Sequence, residues 1–214
     1  MERYSNIPVS KLSQQRDPEK EKKLLDQAAP GSLYTYARHI IKGRWPEAEP
    51  FIMKNPKRSF YYALYIIGGR WPEAEPHIQK DPEAAYAYSK YLLKEPWPEA
   101  EPHIATDSEW AFNYAKEVLE GRFSEAEPYL VNDPAYAYFY ARDILGGRWP
   151  EAEETIIKDP SWSLGYAKNV IKDRFPEAES TLVKDSDIWE EYQEFLNDIG
   201  KGMDAWTIEE EIWS

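Results

Sequence analysis

Pairs of glutamates two positions apart recur along this chain at a fixed step of 26 residues. The pairs are Glu47/Glu49, Glu73/Glu75, Glu99/Glu101, Glu125/Glu127, Glu151/Glu153 and Glu177/Glu179. Two carboxyl groups can work as general acid and general base only when unlike environments separate their pKa values. Here one environment is copied six times, which argues against a catalytic pair. We interpret them as first-turn glutamates favoured by a helix dipole, or as an acidic ladder that faces a basic partner.

Other residue types that could do chemistry are sparse. His77 and His103 share one repeat position, but other repeats carry Phe, Tyr or Thr there, which indicates a tolerant surface position rather than a metal site. The chain has no cysteine, and no serine or threonine has an organised base. Gly-Gly-Arg-Trp at 68–71 and 146–149 is typical of a helix end, not of a phosphate loop. The sequence predicts a non-enzyme without a metal or cofactor.

The glutamates belong to a longer motif, Arg-Trp-Pro-Glu-Ala-Glu-Pro, at 44–50, which returns at 70–76 and with small changes thereafter. A second constant feature is a pair that begins with Asp or Asn and ends with Pro or Ser. The pairs are Asn55-Pro56, Asp81-Pro82, Asp107-Ser108, Asp133-Pro134, Asp159-Pro160 and Asp185-Ser186. An Asx side chain ahead of Pro or Ser accepts hydrogen bonds from a helix N-terminus. Each repeat is therefore predicted to hold two helices.

The longer helix follows the Asx pair and is marked by a tyrosine in every repeat. These tyrosines are Tyr36, Tyr62, Tyr88, Tyr114, Tyr140, Tyr166 and Tyr192. Apolar residues recur around each at spacings of three and four, which predicts a helix with a broad apolar face and tyrosines in the core. We expect this helix to end at a C′ glycine, namely Gly43, Gly69, Gly121 or Gly147.

The shorter helix follows the aromatic residue of the motif. We expect Trp45 at its N-cap, Pro46 at its first position and the two glutamates in its first turn. Pro50 would lack one backbone hydrogen bond, so the helix should be short, kinked or partly 3₁₀. Glu154 and Ser180 stand in the place of Pro50 in two repeats.

These elements predict an all-α fold, an α-solenoid of about six 26-residue two-helix repeats with degenerate capping units. Neither helix can bury its apolar face alone, so neighbouring repeats must stack. We expect a polar N-terminal arm at 1–16 and the solenoid at 17–197. Residues 198–214 are expected to be either a C-terminal cap or an acidic-aromatic tail.

Composition restricts the partners. The formal net charge is -13, and a field of that sign repels phosphate backbones, so direct nucleic-acid binding is not expected. Partners with a basic or nucleic-acid-binding surface are favoured instead. No apolar run is long enough to span a membrane, and the absence of cysteine fits a cytoplasmic location.

Aromatic residues that vary between repeats are expected to be the more exposed ones and are candidate contact positions, since Trp and Tyr dominate interface hot spots. They are Trp110, Tyr136 and Trp162, with Trp206 and Trp213 in the C-terminal segment.

The unit Gly-Arg-Trp-Pro-Glu-Ala-Glu-Pro, with its Asp-Pro and Tyr-Ala pairs, resembles a short tandem repeat of bacteriophage and bacterial proteins over about residues 30 to 190. This resemblance brings no established activity with it. It implies a small cytoplasmic accessory protein, in the host cytoplasm if phage-encoded, of the kind that blocks host defence enzymes.

We expect a non-enzymatic, protein-binding repeat rod. The leading hypothesis is a phage inhibitor of a host defence or nucleic-acid-handling protein, with the acidic ladder mimicking nucleic acid. One alternative is a structural scaffold or assembly module. Another is a sponge for a small signalling nucleotide, held by aromatic residues and the arginine row.

Overall fold

A computed structural model describes residues 16–202, of which 66% are helical and none forms a strand. The fold is an all-α repeat solenoid, as predicted. The chain divides into two compact units, residues 1–84 and 85–214. The arm up to residue 15 and the segment 203–214, with Trp206 and Trp213, lie outside the described residues.

The first unit alternates long and short helices. Its helices are α1 (Pro18–Gln27), α2 (Pro30–Tyr36), α3 (Glu49–Ile52), α4 (Pro56–Tyr62), α5 (Glu75–Ile78) and the start of α6 (Pro82–Tyr88).

The second unit continues the alternation. After the end of α6 come α7 (Glu101–Ile104), α8 (Ser108–Glu117), α9 (Glu127–Leu130), α10 (Pro134–Tyr140), α11 (Pro150–Ile156), α12 (Pro160–Tyr166), α13 (Pro176–Leu182) and α14 (Ser186–Asp198).

The long helices begin at the Asx pairs as predicted. In the first unit the Asn55 side chain accepts a 2.9 Å hydrogen bond from the backbone N–H of Arg58. In the second, the Asp107 carboxylate accepts from Glu109 and Trp110 at 3.1 and 3.2 Å. Each side chain satisfies N–H groups that have no partner inside the helix.

The long helices end in a way that the glycine pattern did not predict. Five of them continue into a π-helical turn, at Ala37–Ile41, Ala63–Ile67, Ser89–Leu93, Ala141–Leu145 and Ala167–Ile171. The residue that closes each turn is left-handed: Lys42, Gly68, Lys94, Gly146 and Lys172. In three of these turns it stands one position before the expected glycine, whereas Glu95 and Asp173 follow Lys94 and Lys172. The expected C′ position of Gly43, Gly69, Gly121 and Gly147 is therefore wrong. For Gly43, Gly69 and Gly147 the reason is the wider turn, in which the N–H of the left-handed residue bonds five residues back, at 2.7 Å for Lys42 to Ala37. Within the described residues no π-helical turn follows α8, and the left-handed residue before Gly121 is Glu120.

The short helices depend on the second proline of the motif, as predicted. Where that proline is present, the helix has four residues and begins at the second glutamate, as in α3. Where Glu154 or Ser180 replaces it, the helix has seven residues and begins at Pro150 or Pro176. Proline has no N–H to donate, so the preceding turn cannot join the helix. The expected N-cap role of the aromatic residue holds only in α11 and α13, where it is Trp149 or Phe175.

The core of each unit is a row of alternating tyrosine and anchor rings, the anchor being the Trp or Phe of the motif. Tyr62 and Trp71 are 0% and 1% exposed, and their ring centroids are 4.8 Å apart. The pairs Tyr36–Trp45, Tyr88–Trp97, Tyr114–Phe123 and Tyr140–Trp149 repeat this contact at 5.3, 5.2, 5.3 and 5.3 Å. The repeated tyrosines are therefore core residues, as predicted.

Candidate functional site

The motif arginine, the second glutamate and the tyrosine of the next long helix form one connected cluster. The Tyr62 hydroxyl accepts a 2.6 Å hydrogen bond from the backbone N–H of Trp45 and donates one of 2.9 Å to Glu49 Oε1. Arg44 holds the same carboxylate with two hydrogen bonds of 2.8 Å, from Nε and Nη2. We call this arrangement the tyrosine clamp. It joins the turn before a short helix to the long helix that follows.

The tyrosine clamp recurs in the second unit. The anchor N–H lies 2.6–2.7 Å from the tyrosine hydroxyl in the pairs Trp97–Tyr114, Phe123–Tyr140, Trp149–Tyr166 and Phe175–Tyr192. The hydroxyl in turn donates to Glu101, Glu127, Glu153 and Glu179 at 2.9, 3.2, 3.0 and 3.1 Å.

A further clamp lies at the start of the first unit, where sequence reasoning missed it. Tyr36 accepts a 3.1 Å hydrogen bond from the Asp17 N–H and donates one of 3.3 Å to Glu21, which Arg16 holds with two bonds of 2.9 Å. The signal was present in the sequence: Arg16 and Glu21 have the five-residue spacing of Arg44 and Glu49. The capping unit is thus a divergent copy of the repeat.

The clamp fixes the charge state of its groups. Burial by itself raises the pKa of Glu49, but the hydrogen bonds from Arg44 and Tyr62 outweigh it, so that pKa is lowered. Burial raises the pKa of Tyr140 to about 12, and the Glu127 carboxylate adds to the rise. Burial likewise raises the pKa of Tyr62, so in its clamp a neutral phenol donates to the ionised Glu49 carboxylate. This arrangement suits the structural role of holding helices together.

The two glutamates of each pair consequently have different environments. The second members, Glu49, Glu75, Glu101, Glu127, Glu153 and Glu179, are buried or half-buried. The first members, Glu47, Glu73, Glu99, Glu125, Glu151 and Glu177, are all exposed and make no hydrogen bond or ion pair within residues 16–202. The predicted acidic ladder is therefore one exposed carboxylate per repeat, two in the first unit and four in the second, and we call these six residues the outer glutamate row.

The motif arginines lie close to this row. The pKa of Arg44 is raised first by its hydrogen bonds to Glu49 and to a lesser degree by attraction to Glu73 of the following repeat. Arg148 is similarly affected by Glu153 and then by Glu177. Each arginine thus neutralises one glutamate and partly offsets the charge of another.

One repeat lacks the motif arginine: Pro96, preceded by Glu95, stands at its position. Glu101 there accepts from Tyr114 at 2.9 Å and has no cation within residues 16–202. Glu95 and Glu99 of the same repeat are exposed, and so is Glu125, the outer glutamate of the next repeat. The outer glutamate row is therefore most acidic in this repeat.

The variable aromatic residues Trp110, Tyr136 and Trp162 are half-buried rather than exposed. Each packs on a ring of the preceding repeat, with centroid distances of 5.5 Å to Tyr86, 6.1 Å to Phe112 and 5.6 Å to Tyr138. Variation of these residues between repeats does not imply exposure to solvent, because their side chains also fill the space between repeats. The exposed tyrosines, which sequence reasoning did not single out, are Tyr65, Tyr91 and Tyr129 at 53%, 48% and 45%.

Other classes of site find little support in the described part of the chain. Within residues 16–202 no group of three His, Cys, Asp or Glu side chains could hold a metal ion, and His39, His77 and His103 are exposed. An open recess of about 460 Å³ lies against Glu154, Lys158 and Lys184. No helix within those residues has the length and apolar character to cross a membrane.

No family model, curated protein or solved structure matches the chain.

Proposed function

We propose that the chain is a non-enzymatic repeat protein that binds a partner protein with a basic surface through the outer glutamate row. The observation that carries this proposal is the contrast within each pair: the second glutamate is clamped, whereas the first is exposed and unpaired at the same place in each repeat. The second unit alone repeats this exposed carboxylate four times, at Glu99, Glu125, Glu151 and Glu177, which gives an array that a row of lysines or arginines can meet.

The spacing of the row favours a protein partner over a close imitation of nucleic acid. Neighbouring helices pack roughly 8–10 Å apart, so each layer offers one free carboxylate over that distance. Duplex DNA carries one charge per roughly 1.7 Å of its axis. A row this sparse has the sign of a phosphate backbone but not its charge density.

The resemblance to phage and bacterial repeats extends the proposal to the partner class. We infer a host defence or nucleic-acid-handling protein, whose basic surface the row would occupy. The nucleotide-sponge alternative loses support, because Arg44, Arg122 and Arg148 are each held by a glutamate of their own repeat. The scaffold alternative predicts binding that does not depend on the row.

Capture from bacterial lysate on three immobilised baits tests the proposal. The baits are the unchanged chain, a variant with the six outer glutamates changed to glutamine, and a control with six other exposed acidic residues neutralised. The control set is Glu19, Asp26, Glu109, Glu154, Glu190 and Glu194. Both variants lose the same charge, so generic attraction weakens equally in both.

We expect a basic protein that is captured by the unchanged chain and the control but at least ~10-fold less by the row variant, with elution by moderate salt. Equal capture by all three baits would refute the role of the row and favour the scaffold alternative. Circular dichroism of each bait verifies that its helices are intact.

A further inference from the structure

Two arginines of the first unit have no carboxylate partner within residues 16–202. The other arginines of that stretch all have one, at distances of 2.5–2.9 Å: Arg16, Arg44, Arg70, Arg122, Arg142, Arg148 and Arg174. Arg38 and Arg58 instead converge on one ring, with guanidinium carbons 5.9 and 5.7 Å from the Tyr34 centroid. Arg38 also lies 4.0 Å from the Tyr65 centroid.

Later repeats show what a cation at the Arg38 position binds. Lys90 and Lys116 occupy that position two and three repeats on. Lys90 Nζ lies 2.5 Å from Glu117 Oε2, and Lys116 Nζ lies 2.9 Å from Asp143 Oδ2. The residue that corresponds to Glu117 and Asp143 beside Arg38 is Tyr65, at the same 27-residue separation. The place of the carboxylate is therefore taken by an aromatic ring.

The Tyr34 hydroxyl gives a second, independent indication. Its counterpart Tyr86 donates a hydrogen bond to Glu117. Tyr34 is 5% exposed, accepts from Arg38 Nη1 at 2.6 Å and has no acceptor for its own proton within residues 16–202. In the later repeat Tyr86 and Lys90 both bond to Glu117. Their counterparts Tyr34 and Arg38 have no carboxylate between them within residues 16–202.

The surrounding surface suits a protein contact. Tyr65 is 53% exposed, and its ring stacks on Tyr61 at 6.1 Å with an interplanar angle of 15°. Arg58 stands in the repeat position that Trp110, Tyr136 and Trp162 occupy later. Tyrosine and arginine are the residue types over-represented among interface hot spots. We call Tyr34, Arg38, Arg58, Tyr61 and Tyr65 the arginine–tyrosine patch.

We propose that the arginine–tyrosine patch docks an acidic segment of a partner protein, with one carboxylate on Arg38 and Tyr34 and an aromatic or apolar side chain against Tyr65. The carboxylate supplies the negative charge that Glu117 and Asp143 supply in later repeats. Guanidinium–carboxylate pairs are charge-assisted and directional, which gives such a contact its specificity. The patch has the opposite charge to the outer glutamate row. This inference does not depend on the proposed function.

Binding of the full chain to an immobilised random copolymer of glutamate and tyrosine tests the chemistry of the patch. The variant Arg38→Gln/Arg58→Gln removes the two unpaired guanidinium groups. The control Lys54→Gln/Lys80→Gln removes two exposed lysine charges from the same unit. We expect the arginine variant to bind at least ~10-fold more weakly and the control to change by less than ~2-fold.

The variant Tyr65→Glu tests whether binding is lost because Arg38 is occupied or because the fold is disrupted. It supplies the carboxylate from the chain itself, as Glu117 does for Lys90. We expect it to abolish copolymer binding while its thermal midpoint stays equal to or above that of the unchanged chain. Undiminished binding by Tyr65→Glu, or equal loss in both double variants, would overturn the proposal.

Two other occupants are tested in parallel. Binding of inorganic phosphate or ATP that depends on Arg38 and Arg58, without copolymer binding, would replace the acidic segment by a phosphate ligand. Concentration-dependent dimerisation in sedimentation that Arg38→Gln removes, again without copolymer binding, would identify the occupant as a second copy of this chain. Either result contradicts the proposal as stated.

Discussion

The hydroxyl of Tyr62 lies 2.6 Å from the backbone nitrogen of Trp45, 17 residues earlier in the chain. That N–H is buried and belongs to a turn, where no helical carbonyl is available to it. A buried N–H without a partner costs about 1–3 kcal/mol. The repeated tyrosine is therefore retained for its hydroxyl as well as for its ring.

Replacing a clamp tyrosine by phenylalanine should isolate that contribution. We expect Tyr166→Phe to lower the free energy of unfolding by about 1–3 kcal/mol, because the Trp149 N–H and Glu153 both lose their partner. Urea unfolding followed by circular dichroism measures the change. Tyr129→Phe, at a 45% exposed tyrosine, is the matched control and should stay within about 0.5 kcal/mol. Equal changes in the free energy of unfolding for Tyr166→Phe and Tyr129→Phe would show that the Tyr166 hydroxyl does not stabilise the fold.

Restoring the missing arginine should strengthen the repeat that lacks it. We expect Pro96→Arg to stabilise the chain by up to about 1 kcal/mol, since the new guanidinium can hold Glu101 as Arg122 holds Glu127. Pro96→Ala separates this gain from the simple removal of proline. The same substitution should weaken capture of a basic partner, because it neutralises the most acidic repeat. A gain of equal size in Pro96→Ala would assign the effect to the proline.

Acid should remove the contribution of Asp143. Hydrogen bonds from Arg142 and then Lys116 lower the pKa of Asp143 to about 2. Because the folded pKa lies below the unfolded value of about 3.9, the contribution is complete above that value and is lost as pH falls through about 2. We expect Asp143→Asn to have a lower thermal midpoint at pH 7, and this difference should vanish between about pH 4 and pH 2.

Thermal midpoints of both proteins across that range test the prediction. Asp198→Asn, at an exposed residue without an ion pair within residues 16–202, serves as control and should show no such convergence. A difference between Asp143→Asn and the unchanged chain that persists at pH 2 would contradict the assignment.

The left-handed residues that close the π-helical turns are sites of strain. Lys172 has a φ of 57°, and a left-handed conformation costs a non-glycine residue about 1–2 kcal/mol. We expect Lys172→Gly to stabilise the fold by about 0.5–1 kcal/mol after the entropy lost by glycine, and Gly68→Ala to destabilise it by a comparable amount. Gly147, which is not left-handed and has open space around its Cα, is the control for alanine substitution. Differential scanning calorimetry measures all three; a destabilised Lys172→Gly would contradict the argument.

The repeat, the starts of the long helices and the effect of Pro50 could be predicted because each depends on neighbours in sequence. Proline removes a local N–H, and an Asx side chain caps the turn that follows it, so spacing alone was sufficient. The π-helical turns were not predictable in this way. The residue that turns left-handed is Lys42 in one repeat and Gly68 in the next, so glycine was no guide to its position.

The separate roles of Glu47 and Glu49 also lay beyond the sequence. Both are glutamates of one motif, and contacts from Arg44 and from the Tyr62 hydroxyl, 13 residues after Glu49, distinguish them. Trp110 was misjudged for the same reason: its contact, Tyr86, lies in the preceding repeat, and sequence variation says nothing about that neighbour.

In each tyrosine clamp that the structure describes, the tyrosine follows its anchor in the chain, so it emerges later during synthesis. An anchor such as Phe123 leaves the ribosome 17 residues before Tyr140, the residue that satisfies its N–H. Each clamp can therefore close only after the next long helix has emerged, and the growing end carries one open clamp. Tyr192 on α14 completes the last of them, at Phe175. A nascent chain that stops after α13 would hold a short helix that nothing downstream can close.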